Sequence, residues 1–395
     1  MLETALKGSR RYWGWIFFLL TVIGIGFIAY LYQFRIGLGV TGMSRDVSWG
    51  LYIGQFTFLV GVAASGVMVV LPYYLHNYKA FGRITVLGEF LAIAAVIMCM
   101  LFIFVDMGQP LRVLNVILHP TPNSVMFFDM LVLSGYLLLN VLVGWTVLGA
   151  ERKGIAAPSW VKPFIILSIA WAPSIHTVTA FLYAGLPGRH FWLSAIMAAR
   201  FLASAFAGGP ALLILLAMIV RKYTKFDAGQ EAIQALGKIV TYFMITNVFF
   251  LGLEFFTAFY SKIPGHMDPF IYLYAGIEGQ GKLVPVMWTS TILAVIALFI
   301  LVIPQFRKKE NLLAIACVST FFSLWIDKGF GLIVGGFVPN PFERVTEYWP
   351  TLPETLITLA VWSVGFLVLT ILYKIAVSVK EEAVFDKYGQ KQIKS

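Results

Sequence analysis

The chain has 395 residues, of which 59% are hydrophobic and only 12% are charged, and its formal net charge is +10. Soluble domains contain about 25% charged residues, so this composition excludes an ordinary soluble domain and indicates an integral membrane protein. The basic residues lie between long apolar segments, so they predict orientation in a membrane rather than binding to nucleic acid.

Apolar segments follow one another along the whole chain and predict an all-α fold, a polytopic membrane helix bundle with about ten transmembrane helices. Each segment has about 20 residues or more, which is enough to cross a hydrocarbon core of about 30 Å. The predicted spans 1 to 10 are 12–33, 50–75, 84–107, 124–148, 160–185, 191–220, 235–260, 283–305, 311–336 and 353–379. Residues 1–395 are therefore expected to form a single integral membrane domain.

The lysine and arginine residues are divided unevenly between the two sides of this predicted bundle. Of the 29, we place 20 on the side of both termini, 7 on the opposite side and 2 within spans. Loops rich in lysine and arginine stay in the cytoplasm. We therefore expect cytoplasmic termini and a multi-pass protein of the cytoplasmic (inner) cell membrane.

Ionisable side chains are few inside the predicted spans, and most fall in the predicted outer half of the membrane. A charged group at that depth costs about 2.5 kcal/mol or more unless it is paired or faces a wet cavity. In chain order these residues are Glu89, Asp106, Asp129, His176, Arg200, Glu254, Asp327 and Lys328. Glu89 alone lies near the cytoplasmic end of its span. A shared polar cavity explains this clustering better than independent residues reaching outward to the surface.

Helical spacing groups some of these residues into polar faces. His176 and Thr179 lie three residues apart on one face of span 5, and Asp129 and Tyr136 lie seven apart on one face of span 4. Residues seven apart stay within about 20° of each other on a helix. A histidine and a desolvated carboxylate are suitable proton acceptors near neutral pH, so His176 and Asp129 are the candidate catalytic residues.

The charged residues of spans 6, 7 and 9 leave two interpretations open. Asp327 and Lys328 are adjacent and project about 100° apart, so each is expected to pair with another helix. One interpretation is a structural ion-pair network that includes Arg200 and Glu254. The other is a proton path, whose proposed members are Glu89, Asp106, Arg200, Glu254, Asp327 and Lys328.

Span 2 begins with aromatic and amide side chains at its outer mouth, namely Trp49, Tyr52 and Gln55. Aromatic rings with a few hydrogen-bond donors suit the flat ring of a quinone. The alternative is an ordinary aromatic belt at the membrane interface.

The sequence offers no ligands for a redox centre of its own. Of five histidines only His176 lies within a span, which argues against a bis-histidine haem. Cys99 and Cys317 are far apart, so an iron–sulfur cluster held by this chain is excluded. We see no flavin motif and expect no metal site, so any redox centres must belong to partner subunits.

Several motifs occur in an order that resembles a known family. They are Gly39–Gly50, Asp106–Arg112, His119–Ser124 followed by Asp129, Ser174–Val178, Trp325–Lys328 and Pro350–Glu354. Over nearly its whole length the chain resembles the NrfD/polysulfide-reductase (PsrC-like) membrane-subunit family. Within that family it is most similar to the branch found in the DsrMKJOP complex of sulfite-reducing and sulfur-oxidising prokaryotes.

This resemblance implies a subunit without haem, iron–sulfur cluster or flavin that binds menaquinone near the outer face, in dissimilatory sulfur metabolism. It implies electron exchange with an extracytoplasmic ferredoxin-like iron–sulfur subunit (DsrO-like). It further implies a multihaem cytochrome c (DsrJ-like), a membrane cytochrome b (DsrM-like) and a cytoplasmic iron–sulfur subunit (DsrK-like) as partners. Spans 2–5, about 50–185, would form the quinone bundle, spans 6–9, about 191–336, a second charged bundle, and spans 1 and 10 would be peripheral.

We expect His176 to bind the quinone head group and Asp129 to accept its proton. The other proposed quinone-binding residues are Trp49, Tyr52, Gln55, Tyr136 and Thr179. The chain departs from some relatives at Ala64, where they carry a histidine, and at Asp327–Lys328, where they carry a Glu–Arg pair.

Two other functions stay open. A proton- or ion-coupled secondary transporter would use the same buried charges as a substrate site, and Pro173 would mark a broken helix in it. A membrane anchor without quinone chemistry would carry only the remains of a pocket.

Overall fold

A computed structural model describes the backbone of residues 2–392 and the side chains of residues 3–381. Within that part of the chain the fold is all-α, and ten helices are long and apolar enough to cross a membrane. The predicted fold class and the ten spans are therefore confirmed. The helices are α1 (Arg10–Ile36), α2 (Leu51–Leu75), α3 (Thr85–Asp106), α4 (Val125–Arg152), α5 (Val161–Ala184), α6 (Met197–Tyr223), α7 (Gln230–Ser261), α8 (Val284–Val302), α9 (Glu310–Val334) and α10 (Leu352–Gln392).

Among the predicted helix starts, that of α6 differs most from the structure, because α6 begins at Met197 rather than at 191. The buried indole of Trp192 donates from Nε1 to the carbonyl of Leu332 at 2.8 Å and holds the preceding turn against α9. Arg200 consequently lies in the first turn of α6, not ten residues inside it. The candidate break at Pro173 is absent, because α5 continues from Val161 to Ala184.

We call the side on which α1 begins the terminus side, and the opposite side the far side. The ten helices pack around one continuous apolar core to which α2–α10 contribute. In α3, 78% of the spanning window is buried, whereas in α1 the figure is 17%. Helix α1 therefore lies at the edge, where it packs on α10, and α10 in turn packs on α3 and α4.

Two helices that cross the centre are irregular. Helix α2 consists of Leu51–Ala64 and Val67–Leu75, joined at Ser65 and Gly66. Helix α9 changes to π-helical geometry over Asp327–Val334. The two helices touch at glycines, since a Cβ on Gly54 would stand 2.8 Å from the carbonyl oxygen of Gly329. Single π-helical turns are often found at functional sites, and this one carries Asp327 and Lys328.

Candidate functional site

His176 lies at the centre of the site, fully buried on the far-side half of α5. Its Nε2 atom is 2.7 Å from the carbonyl oxygen of Phe201 on α6. A carbonyl oxygen only accepts hydrogen bonds, so Nε2 carries the hydrogen in the neutral ring and Nδ1 is the free acceptor. Nδ1 has no hydrogen-bond partner among the described residues.

Helix α2 makes room for this ring. A Cβ added at Gly61 would stand 3.3 Å from Cε1 of His176, which is closer than nearly all real contacts. A larger residue at position 61 would therefore crowd both the imidazole and Ala205, whose Cβ stands equally close. The close approach of α2 at Gly61 is therefore to a side chain of the candidate site.

Lys328 reaches the same place from α9 and is 3% exposed. Its Nζ lies 3.2 Å from Nε2 of His176, donates to the Phe201 carbonyl oxygen at 3.3 Å, and stands 3.6 Å from the centre of the Phe201 ring. One carbonyl oxygen has two lone pairs and can accept from both nitrogens. Lys328 is thus part of the His176 site, whereas the sequence placed it with the charges of the second bundle.

Asp129 on α4 and Thr179 on α5 are in contact beside His176. The sequence had placed Thr179 on the same helical face as His176. The hydroxyl of Thr179 donates to Oδ1 of Asp129 at 2.6 Å and lies 2.8 Å from the carbonyl oxygen of Ile175. A hydroxyl has one hydrogen but can also accept. When Asp129 is ionised, Thr179 donates to it. When Asp129 is protonated, it can donate to Thr179, whose hydrogen then turns to Ile175. Asp129 therefore has a hydrogen-bond partner in both of its protonation states, as the role of a proton acceptor requires.

An aromatic cluster covers the site on the far side. The hydroxyls of Tyr183 and Thr57 are 2.5 Å apart. The Tyr183 ring packs against Trp49 at a centroid distance of 5.7 Å and against Trp192 at 5.5 Å. Trp49 therefore borders the site through Tyr183. Thr57, which lies one helical turn before Gly61, was not identified from the sequence.

Tyr52 and Gln55 point away from His176. The hydroxyl of Tyr52 donates to Oε1 of Gln33 on α1 at 2.7 Å. Oε1 of Gln55 accepts from the indoles of Trp325 and Trp362 at 2.7 and 2.8 Å. These residues occupy another face of α2 than Thr57, because at 100° per residue Gln55 projects about 160° and Tyr52 about 140° away from Thr57.

A buried ion-pair network joins α6, α7 and α9. Arg200 binds both carboxylate oxygens of Asp327, at 2.9 and 2.8 Å, and also donates to Glu254. Asp327 therefore bonds the side chain of Arg200, whereas Lys328 bonds the backbone of Phe201 and lies beside His176 on α5, in line with their divergence on α9. Breaking a buried pair of this kind costs about 3–5 kcal/mol.

The proposed proton-path residues do not form one continuous chain in the structure. Arg200 contacts both Glu254 and Asp327, but Asp106 and Glu89 lie at opposite ends of α3, about 25 Å apart at 1.5 Å per residue. Tyr136 is buried on α4, two turns from Asp129 toward the terminus side.

A small cavity lies between α2, α6 and α9, lined in part by Gly61, Ser204, Ala205 and Lys328. It adjoins the His176 cluster through Gly61 and Lys328. In the described part of the chain, His, Cys, Asp and Glu side chains form no group of three or more that could hold a metal ion.

The protein is a polytopic helical membrane bundle whose far-side half contains buried histidine, carboxylate and lysine side chains. The family described as polysulphide reductase, NrfD, matches residues 39–339, which include α2–α9 entirely. The chain belongs to this family, as its motifs indicated.

Three relatives are named as membrane subunits of oxidoreductases. The chain is 26% identical to a putative dimethyl sulfoxide reductase membrane subunit of Halobacterium salinarum, over 91% of this chain and 89% of that protein. It is 21% identical to the menaquinone reductase integral membrane subunit of Nitratidesulfovibrio vulgaris, over 94% and 93%. It is 24% identical to the Hdr-like menaquinol oxidoreductase integral membrane subunit of Archaeoglobus fulgidus, over 62% and 60%.

Proposed function

We propose that this chain is the quinone-binding membrane subunit of a multi-subunit respiratory oxidoreductase, and that menaquinone or menaquinol binds at His176 and Asp129. The observation that carries the proposal is a buried histidine with a free Nδ1, one turn from the Asp129–Thr179 pair. Two relatives named for menaquinol or menaquinone support this substrate.

The chemistry of quinol oxidation matches these two residues. Converting a quinol to a quinone releases two protons and two electrons, so a base must stand at each ring hydroxyl. Nδ1 of His176 accepts a hydrogen bond from one hydroxyl and thereby orients the head group. Asp129 takes a proton, because the hydroxyl of Thr179 can bond either of its protonation states. Bases with suitable proton affinity contribute about 10²–10⁴-fold to such steps.

The remaining proposed quinone-binding residues have different positions around this pair. Trp49 stands over Tyr183 on the far side, and Thr179 bonds Asp129. Tyr52 and Gln55 hold α2 against α1, α9 and α10. We assign these two a supporting role rather than contact with the quinone.

We further propose that the terminus side is cytoplasmic and that the far side meets an extracytoplasmic ferredoxin-like iron–sulfur subunit. In this proposal the partner subunit supplies the electron carrier, as the motif resemblance implies. A complex with DsrO-, DsrJ-, DsrM- and DsrK-like subunits in dissimilatory sulfur metabolism rests on the motif resemblance. The far-side position of His176 and Asp129 supports electron transfer on that side.

The test uses the purified complex that contains this subunit. We expect menaquinone to copurify, and a fluorescent hydroxyquinoline-N-oxide analogue to bind. His176→Ala should weaken analogue binding about tenfold, which corresponds to about 1.4 kcal/mol, whereas His76→Ala in the α2–α3 connection should leave it unchanged. Asp129→Asn should retain binding but lower quinol turnover at least about tenfold.

The alternatives predict other results. A transporter or a simple anchor would bind no analogue, and its His176→Ala variant would behave like His76→Ala. Either result would refute the proposed function. The helix is uninterrupted at Pro173, so Pro173 does not supply the broken helix that the transporter interpretation placed there.

A further inference from the structure

Glu89 differs from the other buried carboxylates of the bundle. It is 2% exposed, and neither of its carboxyl oxygens has a hydrogen-bond partner among the described residues. Glu254 and Asp327, by contrast, are both bonded to Arg200. A buried carboxylate without a partner is unfavourable, so an ion-pair network does not explain why a glutamate stands at this position.

The carboxyl group of Glu89 lies against α4. A Cβ added at Gly144 would stand 3.3 Å from Oε2 of Glu89, so the glycine leaves the space that this group occupies. From Gly144 toward the far side, the buried face of α4 continues through Asn140, Tyr136 and Asp129, which are 5%, 3% and 4% exposed. These side chains make one polar line through an otherwise apolar helix interface.

The same face of α4 continues to the terminus side. Glu151 lies seven residues beyond Gly144, two turns along the helix, and is partly exposed. Nζ of Lys380 on α10 donates to Oε1 of Glu151 at 2.7 Å and to the carbonyl oxygen of Gly82 at 3.2 Å. Gly82 lies just before α3, and Glu89 stands where the second turn of α3 begins. Glu89 therefore stands between a solvent-accessible ion pair and the buried line.

We infer that this line is a proton route which connects the terminus side with the quinone site, and that Glu89 is its first buried proton carrier. In order from the terminus side its residues are Glu151, Lys380, Glu89, Asn140, Tyr136 and Asp129. The inference rests on the proposed function, and it departs from the path through Arg200, Glu254 and Asp327.

On this route the electrons and the protons of the quinone reaction leave on opposite sides of the membrane. For each quinol oxidised, two electrons pass to the far-side partner. Asp129 takes the proton of one hydroxyl and passes it toward Glu89 and the terminus side; Nδ1 of His176 takes the proton of the other hydroxyl and hands it to Asp129 once Asp129 is ionised again, so that both protons follow the same route. Quinone reduction reverses both movements. The rise along α4 from Asp129 to the level of Glu89 is about 22 Å. The Tyr136 hydroxyl and the Asn140 amide, which each donate and accept, provide the intermediate positions, and buried water bridges such gaps.

The experiment reconstitutes the whole complex in lipid vesicles with a pH indicator enclosed on the terminus side. Quinol oxidation is started with the electron acceptor of the far-side partner, and protons are counted per electron. In Glu89→Gln we expect the terminus-side proton signal to fall at least tenfold, while the quinone analogue binds within twofold of wild type. Glu310→Gln, at the terminus-side end of α9 where Glu310 pairs with Arg221, is the matched control and should give the wild-type signal.

An unchanged ratio of protons to electrons in Glu89→Gln would overturn the inferred proton route. It would not contradict the proposed quinone site. If wild type binds no analogue, the proposed function itself fails, and the two failures are therefore distinguishable. Should Glu89→Gln not accumulate, Tyr136→Phe removes a single oxygen from the same line and should also slow the terminus-side signal. A wild-type signal in Tyr136→Phe would then overturn the route.

Discussion

Nζ of Lys328 lies 3.2 Å from Nε2 of His176, and the two nitrogens share the carbonyl oxygen of Phe201. Lys328 follows Asp327, which is held by Arg200. The buried charge network and the candidate quinone site are therefore adjacent parts of one polar region between α5, α6 and α9. The sequence had divided them between two bundles, with His176 in spans 2–5 and Arg200 in spans 6–9.

Lys328→Met is expected to lower quinol turnover of the complex about tenfold. The substitution removes one of the two donors to the Phe201 carbonyl and leaves Arg200 with two buried carboxylates and an uncompensated negative charge. Steady-state turnover and its pH profile measure the effect, and Lys328→Arg should restore part of it. Lys308→Met, at an exposed position on the terminus side, is the control. A wild-type rate and profile in Lys328→Met would show that the lysine is not required at the site.

Arg200→Ala is expected to destabilise the subunit by about 3–5 kcal/mol, because it leaves Glu254 and Asp327 buried without their partner. The thermal unfolding midpoint of the detergent-solubilised complex measures this loss. Arg112→Ala, at an exposed position after α3, should leave the midpoint unchanged. If the two variants unfold at the same temperature, the network contributes nothing to stability and its charges require another explanation.

Gly61→Val is expected to abolish binding of the quinone analogue without preventing assembly of the helix bundle. The new side chain meets the His176 ring, since even a Cβ at this position would stand 3.3 Å from Cε1. Gly24→Val is the matched control, because a Cβ on Gly24 meets no atom within 4 Å. Fluorescence titration with the analogue compares the two, and equal affinity in both variants would contradict the placement of the ring.

The far-side connections are expected to loosen below about pH 4. Burial opposes ionisation of Glu347, but hydrogen bonds from the side chain and backbone of Lys282 and from the backbone of Gly281 outweigh it and hold the pKa of Glu347 below its ordinary value. A lowered pKa stabilises the fold above the ordinary value, about 4.3 for glutamate. This stabilisation disappears as the pH falls through the lowered pKa.

Limited proteolysis across pH 3–7 measures this effect in the segment 276–283. In wild type the cleavage rate should rise as the pH falls, whereas Glu347→Gln should be cleaved rapidly at every pH. Glu278→Gln changes an exposed glutamate in the same segment and should follow wild type. Cleavage of wild type that does not depend on pH would exclude Glu347 as the anchor of this connection.

The sequence by itself determined the ten spans and the depth of most buried polar residues, because the length of an apolar segment and its distance from the flanking loops measure position along the membrane normal. It also placed Thr179 and His176 on one helical face and showed that Asp327 and Lys328 project in different directions. Both predictions follow from the rotation of 100° per residue along an α-helix. The predicted start of α6 was wrong by six residues. Trp192 lies in the turn before the helix and bonds α9, but its apolar side chain looks in the sequence like part of the membrane span.

Only the tertiary structure decided which way each helix faces. Gln55 and Thr57 differ by only about 3 Å in depth, yet Gln55 turns toward α9 and α10 while Thr57 contacts Tyr183 beside the site. The Phe201 carbonyl, which joins His176 to Lys328, is a backbone atom that no residue pattern reveals. Rotation about a helix axis is set by close contacts with neighbouring helices, whereas hydropathy records only how deep in the membrane a residue lies.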